Sequence, residues 1–497
     1  MGQHYQGLEA RFRRLSLLGE AGSILHWDMA TQLPEGAMAS RAEQLAELRA
    51  ISHGLLVAEE TYALLEGAFA EDDLDPWQQK NRDLIEKRFA VARAMSEDLV
   101  TRESLADSAC EAVWREARPE ADFAKVLPKL RDVLAIKKEV GALRAEVLNL
   151  GLYDALLDQY EPDGRSKDID PVFEDLAAWL PGFLEKVLAA QEAAPAIQMP
   201  DGPFAIETQR EVAMRFMADL GFDFAHGRLD VSLHPFCGGT PDDVRITTRY
   251  DEEDFTSALM GVLHETGHAL YERGLPKAYH HQPVGSALGM SIHESQSLLV
   301  EMQVCRGPAF LAYAAPILRE TFGGSGPAWE LENLNRLYTR VKQDFIRVDA
   351  DEVTYPAHVI LRYRLEKALL EDRMDLGDLP EAWNDGLEEL LGIRPPDDRL
   401  GCLQDIHWYD GAWGYFPTYT LGAMTAAQFY NAAEAAHPEI PAEIEDGRFG
   451  TLMGWLAENV HGKGSSMTSA QLIEQATGKA LSAAPFKAHL ESRYLPG

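Results

Sequence analysis

The sequence predicts a mainly α-helical chain with one small antiparallel sheet. Three observations carry this. Apolar residues recur at three- and four-residue steps through residues 40–70, 77–118, 122–150 and 170–193, where Ala, Leu, Glu and Arg dominate. Residues 228–233 (RLDVSL) and 243–250 (DVRITTRY) instead alternate apolar and polar, as a strand does. No low-complexity linker or fixed-period repeat divides the 497 residues. A single domain over 1–497 follows, with an N-terminal helical half over about 1–200 and a second half over about 201–497. AAPAIQMPDGP, near 195–205, is the one candidate boundary.

In chain order, the helical runs are punctuated at Pro34-Glu35-Gly36, Asp75-Pro76, Arg118-Pro119 and Pro162-Asp163-Gly164. Before the first break, Trp27 and Asp28 read as helix packing and capping. The two alternating stretches read as a hairpin across Gly238-Gly239, with Leu229, Val231 and Leu233 on one face. Next comes DEEDFTSALMGVLHETGHALYERGLP, a capped helix of about five turns. Acidic residues open it and Gly274 and Pro276 stop it. Beyond it the chain returns to helix through to the C-terminus.

Composition excludes several partners. Lys and Arg number 46 against 80 Asp and Glu, a net charge of −34. Such a surface repels phosphates and anionic lipid, so neither nucleic acid nor membrane is expected. No apolar run approaches the roughly 20 residues of a membrane span. MGQHYQGLEARFRRL has no signal-peptide core, and Gln6 stands where a myristoylation motif requires Ser or Thr. Cys110, Cys237, Cys305 and Cys402 are scattered, with no CxxC pair. That is the usage of a reduced, cytoplasmic chain.

The residues that carry chemistry lie in the capped helix. His264 and His268 stand four apart, with Glu265 directly after the first. This spacing puts both imidazoles on one helix face, where both can reach one ion about 2.1 Å away. Glu265 is rotated by about 100° and can reach a water bound there. Zinc takes imidazole and carboxylate ligands, keeps a position open, and lowers the pKa of a bound water from about 15.7 to about 7. A neighbouring carboxylate then takes the proton and returns it to the leaving amine.

The third ligand comes from elsewhere. A metzincin places Gly and His three and six residues after His268, where this chain has Tyr271 and Gly274. Ligands at 264, 268 and 272 would span about 12 Å of helix axis, too far for one tetrahedral ion. The next helical stretch, SALGMSIHESQSLLVEMQV, offers His293, Glu294 and Glu301. Glu294, 26 residues after His268, suits a gluzincin. Glu301, two turns on along the same face, is the reserve candidate, and His293 reads as packing or as a hydrogen-bond partner of a ligand.

HETGH and HESQS do not stand alone. They are joined by HPF (234–236), DVRIT (243–247), IRVDAD (346–351), GCLQDIHW (401–408) and, at the N-terminus, HWDMATQLPEGAMASRAEQLAEL. In this order, and together with WGYFPTYTLG, they resemble the carboxypeptidase Taq family of zinc metallocarboxypeptidases over essentially the whole chain. The resemblance implies a helical fold with a small sheet and a long deep groove, distantly similar to neurolysin and angiotensin-converting enzyme. In that frame the N-terminal half serves as a lid and the second half holds the zinc. It also implies a cytoplasmic homodimer that removes single residues from peptide C-termini with broad specificity, resists C-terminal proline, and accepts cobalt in place of zinc. His264, His268 and Glu294 then match the ligands and Glu265 the general base. The alternatives are an endo-acting zinc oligopeptidase or a peptide-binding scaffold with a relict motif.

An enzyme of this kind must hold a free carboxylate, and arginine does so bidentately. Arg347 in IRVDAD is the first candidate. Arg245 in DVRIT is the second, or else pairs with Asp243 to hold the hairpin, whose edge could take an extended peptide. His234 is a candidate for the scissile carbonyl or the terminal residue. His407, Tyr415 and Tyr419, in DIHWYDGAWGYFPTY, are candidates for stabilising the developing oxyanion.

Overall fold

The stepwise apolar pattern becomes buried helix faces. In α1 (Gln3–Thr31), Tyr5, Leu8, Phe12 and Leu15 face inward. They share a core with residues of α2 (Met38–Val57), α3 (Glu59–Phe69) and α4 (Pro76–Ala94). The computed structural model describes residues 2–495, leaving Met1, Pro496 and Gly497 outside.

Two of the long helical runs are each split. Run 40–70 breaks at Ala58, which is extended (φ −60°, ψ 145°). Run 77–118 breaks at Ser96, whose hydroxyl accepts from the Leu99 N–H at 3.2 Å and starts α5 (Glu97–Glu120). An N-cap satisfies backbone donors that a continuous helix would have used. The Arg118-Pro119 break falls later than expected, since α5 runs through Pro119 and ends at Ala121 in the left-handed region. Asp75 and Gln78 form a reciprocal cap with Pro76 at the first helical position. The chain continues through α6 (Phe123–Leu148), α7 (Leu152–Leu157), α8 (Ser166–Ala193) and α9 (Ile206–Asp219).

The sheet differs from the expected hairpin. β1 (Gly227–Val231), β2 (Phe236–Thr240) and β3 (Asp243–Thr248) lie in the order β1-β3-β2. β1 pairs with β3 in parallel, and the antiparallel pair is β2 with β3. The cause is the two-residue Pro241-Asp242 link, which makes Thr240 and Asp243 direct partners. Gly238 and Gly239 therefore belong to a strand. Gly239 has φ +88°, and a Cβ there would lie 2.1 Å from the Asp243 carbonyl. Leu229 is buried, but Val231 and Leu233 are 55% and 81% exposed, so the three do not share a core face.

After the sheet come α10 (Phe255–Gly274), α11 (Met290–Leu298), a π-helical turn (Leu299–Cys305), α12 (Pro308–Thr321) and α13 (Leu331–Tyr338). Helices α14 (Tyr355–Leu370), α15 (Leu379–Leu391) and α16 (Pro417–Ala436) follow. Shorter helices α17 (Ile440–Glu445), α18 (Gly450–Asn459), α19 (Ser469–Thr477) and α20 (Ala483–Tyr494) close the chain. The return to helix is incomplete. Residues 339–354 and 392–416 are largely irregular and carry Arg347, Asp405, His407 and Tyr415. Loops on a rigid scaffold are where functional side chains concentrate.

Two larger cores flank the centre. One joins apolar residues of α9, α10, α11 and α12 to β1 and β3. The other joins residues of α5 to α8 with α14, α15 and α20. Each large apolar side chain so buried contributes about 1.5–3 kcal/mol.

One buried acid makes the second core sensitive to pH. Glu366 on α14 accepts from Tyr153 Oη (2.6 Å), Trp408 Nε1 (3.0 Å) and the Gly414 N–H (3.2 Å). Burial pushes its pKa up to about 7, against those three donors. The folded state thus holds this proton more tightly than the unfolded chain. The resulting stability is complete below the ordinary carboxylate range and is lost as pH rises through about 7. In thermal melts at pH 5 and pH 8, Glu366→Gln should gain on the wild type at the higher pH, by at most about 1.4 kcal/mol per pH unit. Parallel melting shifts would contradict this.

Candidate metal centre

α10 begins where Asp254 accepts from the Thr256 N–H at 2.8 Å. Phe255, Leu259, Met260, Val262 and Leu263 bury its inner side. This anchors His264, Glu265 and His268 in the lining of a cavity of about 720 Å³. Gly267 decides how near the next helix comes. A Cβ there would lie 2.4 Å from the Gln296 carbonyl oxygen and 2.6 Å from Ser297 Cα. On the other side of α11, a Cβ on Gly422 of α16 would lie 2.8 Å from Glu294 Cβ. The helix carrying Glu294 is therefore seated against two helices at positions without side chains.

The result is a set of three convergent groups. His264, His268 and Glu294 each offer one ligand atom, all within 4.8 Å of one another. Glu294 Oε2 lies 3.5 Å from His268 Nε2 and 3.9 Å from His264 Nε2. The opposite ring nitrogens are engaged elsewhere. His264 Nδ1 is 2.9 Å from Glu301 Oε2, and Arg306 fixes the other Glu301 oxygen with 2.8 and 3.1 Å bonds. His268 Nδ1 is 2.6 Å from His293 Nδ1, whose Nε2 is 2.9 Å from Glu272 Oε1. With Nδ1 of both rings turned to these partners, both Nε2 atoms face Glu294. Two imidazoles, each held from behind, and a carboxylate fit a zinc-class dication with a position left over. Glu301 rides the π-helical turn, and such turns recur at functional sites.

Titration follows the same contacts. For Glu294, burial alone would raise the pKa, but His268 and His264 bring it down to about 2. Burial also opposes charging of His264, yet Glu301 and Glu294 lift it to about 10. Burial, with His293 and His264 beside it, lowers His268 to about 4. Burial pushes Glu265 up to about 7, with Glu294 adding to the rise and His264 opposing it.

The other expected residues separate into two groups. Arg347, Tyr415 and Tyr419 line the cavity; Arg245, His234 and His407 do not. Arg347 is buried, with Nε and Nη2 on Asp405 and Nη1 on Tyr355 Oη at 2.7 Å. A guanidinium has five N–H groups, so one on each Nη stays unused by these contacts. Arg245 is paired with Asp243 at 2.5 Å and lies 4.5 Å above the Trp27 ring. That pairing is the structural role weighed for it. Trp27 is buried and Asp28 binds Arg41 at 2.6 Å, linking α1 to α2. His234 is exposed, although Pro235 and Phe236 beside it line the cavity. His407 stands behind the wall, its Nε2 3.3 Å from Tyr419 Oη, and burial with Arg347 and Arg362 nearby lowers it to about 4 against Asp405.

Sequence reasoning does not single out Tyr355, Arg306 or Asp405, and it considers Glu272 only as a metal ligand, not as the partner of His293. Tyr355 follows IRVDAD by four residues, and Asp405 lies inside GCLQDIHW, so both were in view without a reason to single them out.

Comparison with known proteins identifies the family. The family model described as Carboxypeptidase Taq (M32) metallopeptidase matches residues 7–494. Thermostable carboxypeptidase 1 of Thermus thermophilus is 38% identical over 505 residues, covering 99% of this chain and 98% of the relative. The solved structure of Trypanosoma cruzi metallocarboxypeptidase 1 superposes with a TM-score of 0.97 at 38% identity, covering 99% of this chain and 100% of that one. The M32 carboxypeptidase of Deinococcus radiodurans R1 gives 0.94 at 36% identity, with 99% of each chain covered. The chain belongs to the carboxypeptidase Taq (M32) family and is a metallocarboxypeptidase.

Proposed function

We propose that this enzyme removes single residues from the free C-termini of peptides, with broad side-chain acceptance and poor turnover at C-terminal proline. The observation that carries the reading is the convergence of His264, His268 and Glu294 beside Glu265 in the lining of one cavity. The three converging side chains would hold zinc, with cobalt as a substitute. The ion supplies Lewis acidity and makes a water acidic enough to lose a proton near neutral pH.

The chain's own residues do the rest. Glu265 takes the proton from the attacking water and hands it to the nitrogen of the departing residue. Its pKa of about 7 suits both steps. Glu301 and the His293–Glu272 pair keep the two imidazoles in the tautomer that faces Glu294. Tyr415 and Tyr419 line the cavity as neutral phenols, and their pKa values are raised chiefly by burial. They are the donors for the developing oxyanion, with His407 positioning Tyr419. Arg347 takes the terminal carboxylate on its two remaining N–H groups. It is preferred over Arg245 because it lines the cavity. The edge strand β2 presents Phe236 and Cys237 to the same cavity and can pair with the substrate backbone.

We read the whole chain as one such domain, acting as a cytoplasmic homodimer. The family resemblance supports this reading, and the four free thiols suit a reducing compartment. No described helix is long and apolar enough to cross a membrane.

A peptide offered as free acid and as C-terminal amide tests the assignment. With zinc or cobalt restored to metal-stripped protein, mass spectrometry should show a ladder of shortened products from the acid and an intact amide. A chelator should abolish the ladder. Equal cleavage of the amide would overturn the exopeptidase reading in favour of an endo-acting oligopeptidase.

A further inference from the structure

A second group of metal-binding side chains lies away from the catalytic helix face. Glu20 on α1 meets His280 and His281, in the loop that follows α10, and the three offer ligand atoms within 4.8 Å of one another. Glu20 Oε1 is 3.1 Å from His281 Nδ1 and 3.8 Å from His280 Nε2. Ligand atoms of a tetrahedral zinc at about 2.0–2.1 Å stand roughly 3.3–3.4 Å apart, and the two observed separations bracket that value. The imidazoles stack with centroids 4.5 Å apart and planes within 15°, so both present an edge to the same carboxylate.

Two further observations point to an ion. His280 Nε2 is out of contact with solvent and has no hydrogen-bond partner among the described residues. Leaving a buried polar nitrogen unsatisfied is costly, and a cation on the Glu20 side would satisfy it. The opposite nitrogen, His280 Nδ1, faces Asp242 Oδ2 at 3.4 Å, and Arg273 holds the other Asp242 oxygen at 2.8 Å. A carboxylate behind an imidazole that faces a metal is the usual supporting arrangement. Ser16 Oγ donates to Glu20 Oε1 at 3.0 Å and fixes that oxygen as well.

We propose that Glu20, His280 and His281 form a second, structural site for a divalent transition-metal ion of the zinc class, oriented by Asp242. The ion would fasten α1, which belongs to the N-terminal core, to the loop leaving the HETGH helix. The same seam already carries Ser23 Oγ on the Gly239 carbonyl at 2.7 Å and Trp27 under Arg245. The donor set, two imidazoles and one carboxylate, favours zinc, cobalt or nickel over calcium or magnesium.

The test is a metal count on the full chain. Metal-stripped protein is equilibrated with zinc chloride, desalted and measured by plasma mass spectrometry. Wild type should hold two ions per chain, His280→Ala/His281→Ala one, and His264→Ala/His268→Ala one. A single ion in wild type that the His280/His281 variant retains overturns the proposal, as does none at all. A single ion lost only on changing His280 and His281 would support it while removing the catalytic ligand assignment, so the two failures are separable. Glu20→Gln, the milder change, should weaken the second equivalent at least tenfold in a cobalt titration followed by its visible spectrum. An unchanged titration curve would overturn the proposal even if the double variant failed to fold.

Discussion

Glu265→Gln should retain its metal and lose about 10³-fold in turnover, within the 10²–10⁴ that a positioned general base contributes. The carboxamide matches the carboxylate in shape but cannot take a proton. Glu265 lies outside the cluster of three ligand atoms, so metal content should stay at the wild-type value. The pH profile sharpens the expectation. A base works only when ionised, so kcat/KM of the wild type should fall on the acid side of the Glu265 pKa. That pKa is about 7 in the protein alone, and the positive charge of a bound ion draws it lower. In the variant this acid limb should vanish along with the activity. Wild-type turnover from a metal-loaded Glu265→Gln protein would remove Glu265 from the chemistry.

Asp405→Asn should cost roughly 3–5 kcal/mol of stability, the penalty for removing one partner of a buried charge network. Asp405 receives Arg347 Nε and Nη2 on one side and Arg362 at 2.5 Å on the other. Arg362 is fully buried and Arg347 nearly so. Burial alone would raise the Asp405 pKa, but Arg362 and Arg347 hold it well below the usual carboxylate range. Without that charge two guanidiniums face each other with no counterion. The loss should appear as a lowered thermal midpoint and as a raised KM for free-acid peptides, because Arg347 would no longer be held in place. Replacing Arg362 by Met in the same chain should recover part of the stability by removing the unpaired charge. A midpoint unchanged by Asp405→Asn would show that the triad does not hold the wall together.

The limits of sequence reading follow from where the information resides. The HETGH helix was legible because its signals are local: an acidic N-cap at Asp254, a stop at Gly274 and Pro276, and a four-residue spacing that sets two imidazoles on one face. Glu294 was approachable because geometry removes Glu272 from the same helix. β1 and β3 were legible as strands, but β2, which reads as a turn at Gly238-Gly239, and the pairing of the strands were not. Leu229 lies beside Ile246 in a parallel register, because the Pro241-Asp242 turn gives β3 its antiparallel partner in β2 and leaves the other edge of β3 to β1. Arg347 was visible as a candidate, whereas its pairing with Asp405 joins residues 58 apart and leaves no periodic trace. Glu301 stood on the expected face, but its contact with the far nitrogen of His264 depends on a π-helical turn that no spacing rule anticipates.

The bare positions at Gly267 and Gly422 bear on affinity. Ligands on flexible, unsupported arms must be ordered when an ion arrives, at about 0.5–1.5 kcal/mol for each side chain immobilised. Here α11 is wedged between two backbones at contact distance, so Glu294 is set in register with the imidazoles by main-chain packing. That ordering is completed during folding. On the proposed ligand assignment, an arriving ion would therefore meet a preorganised set of donors and cost little further ordering of Glu294.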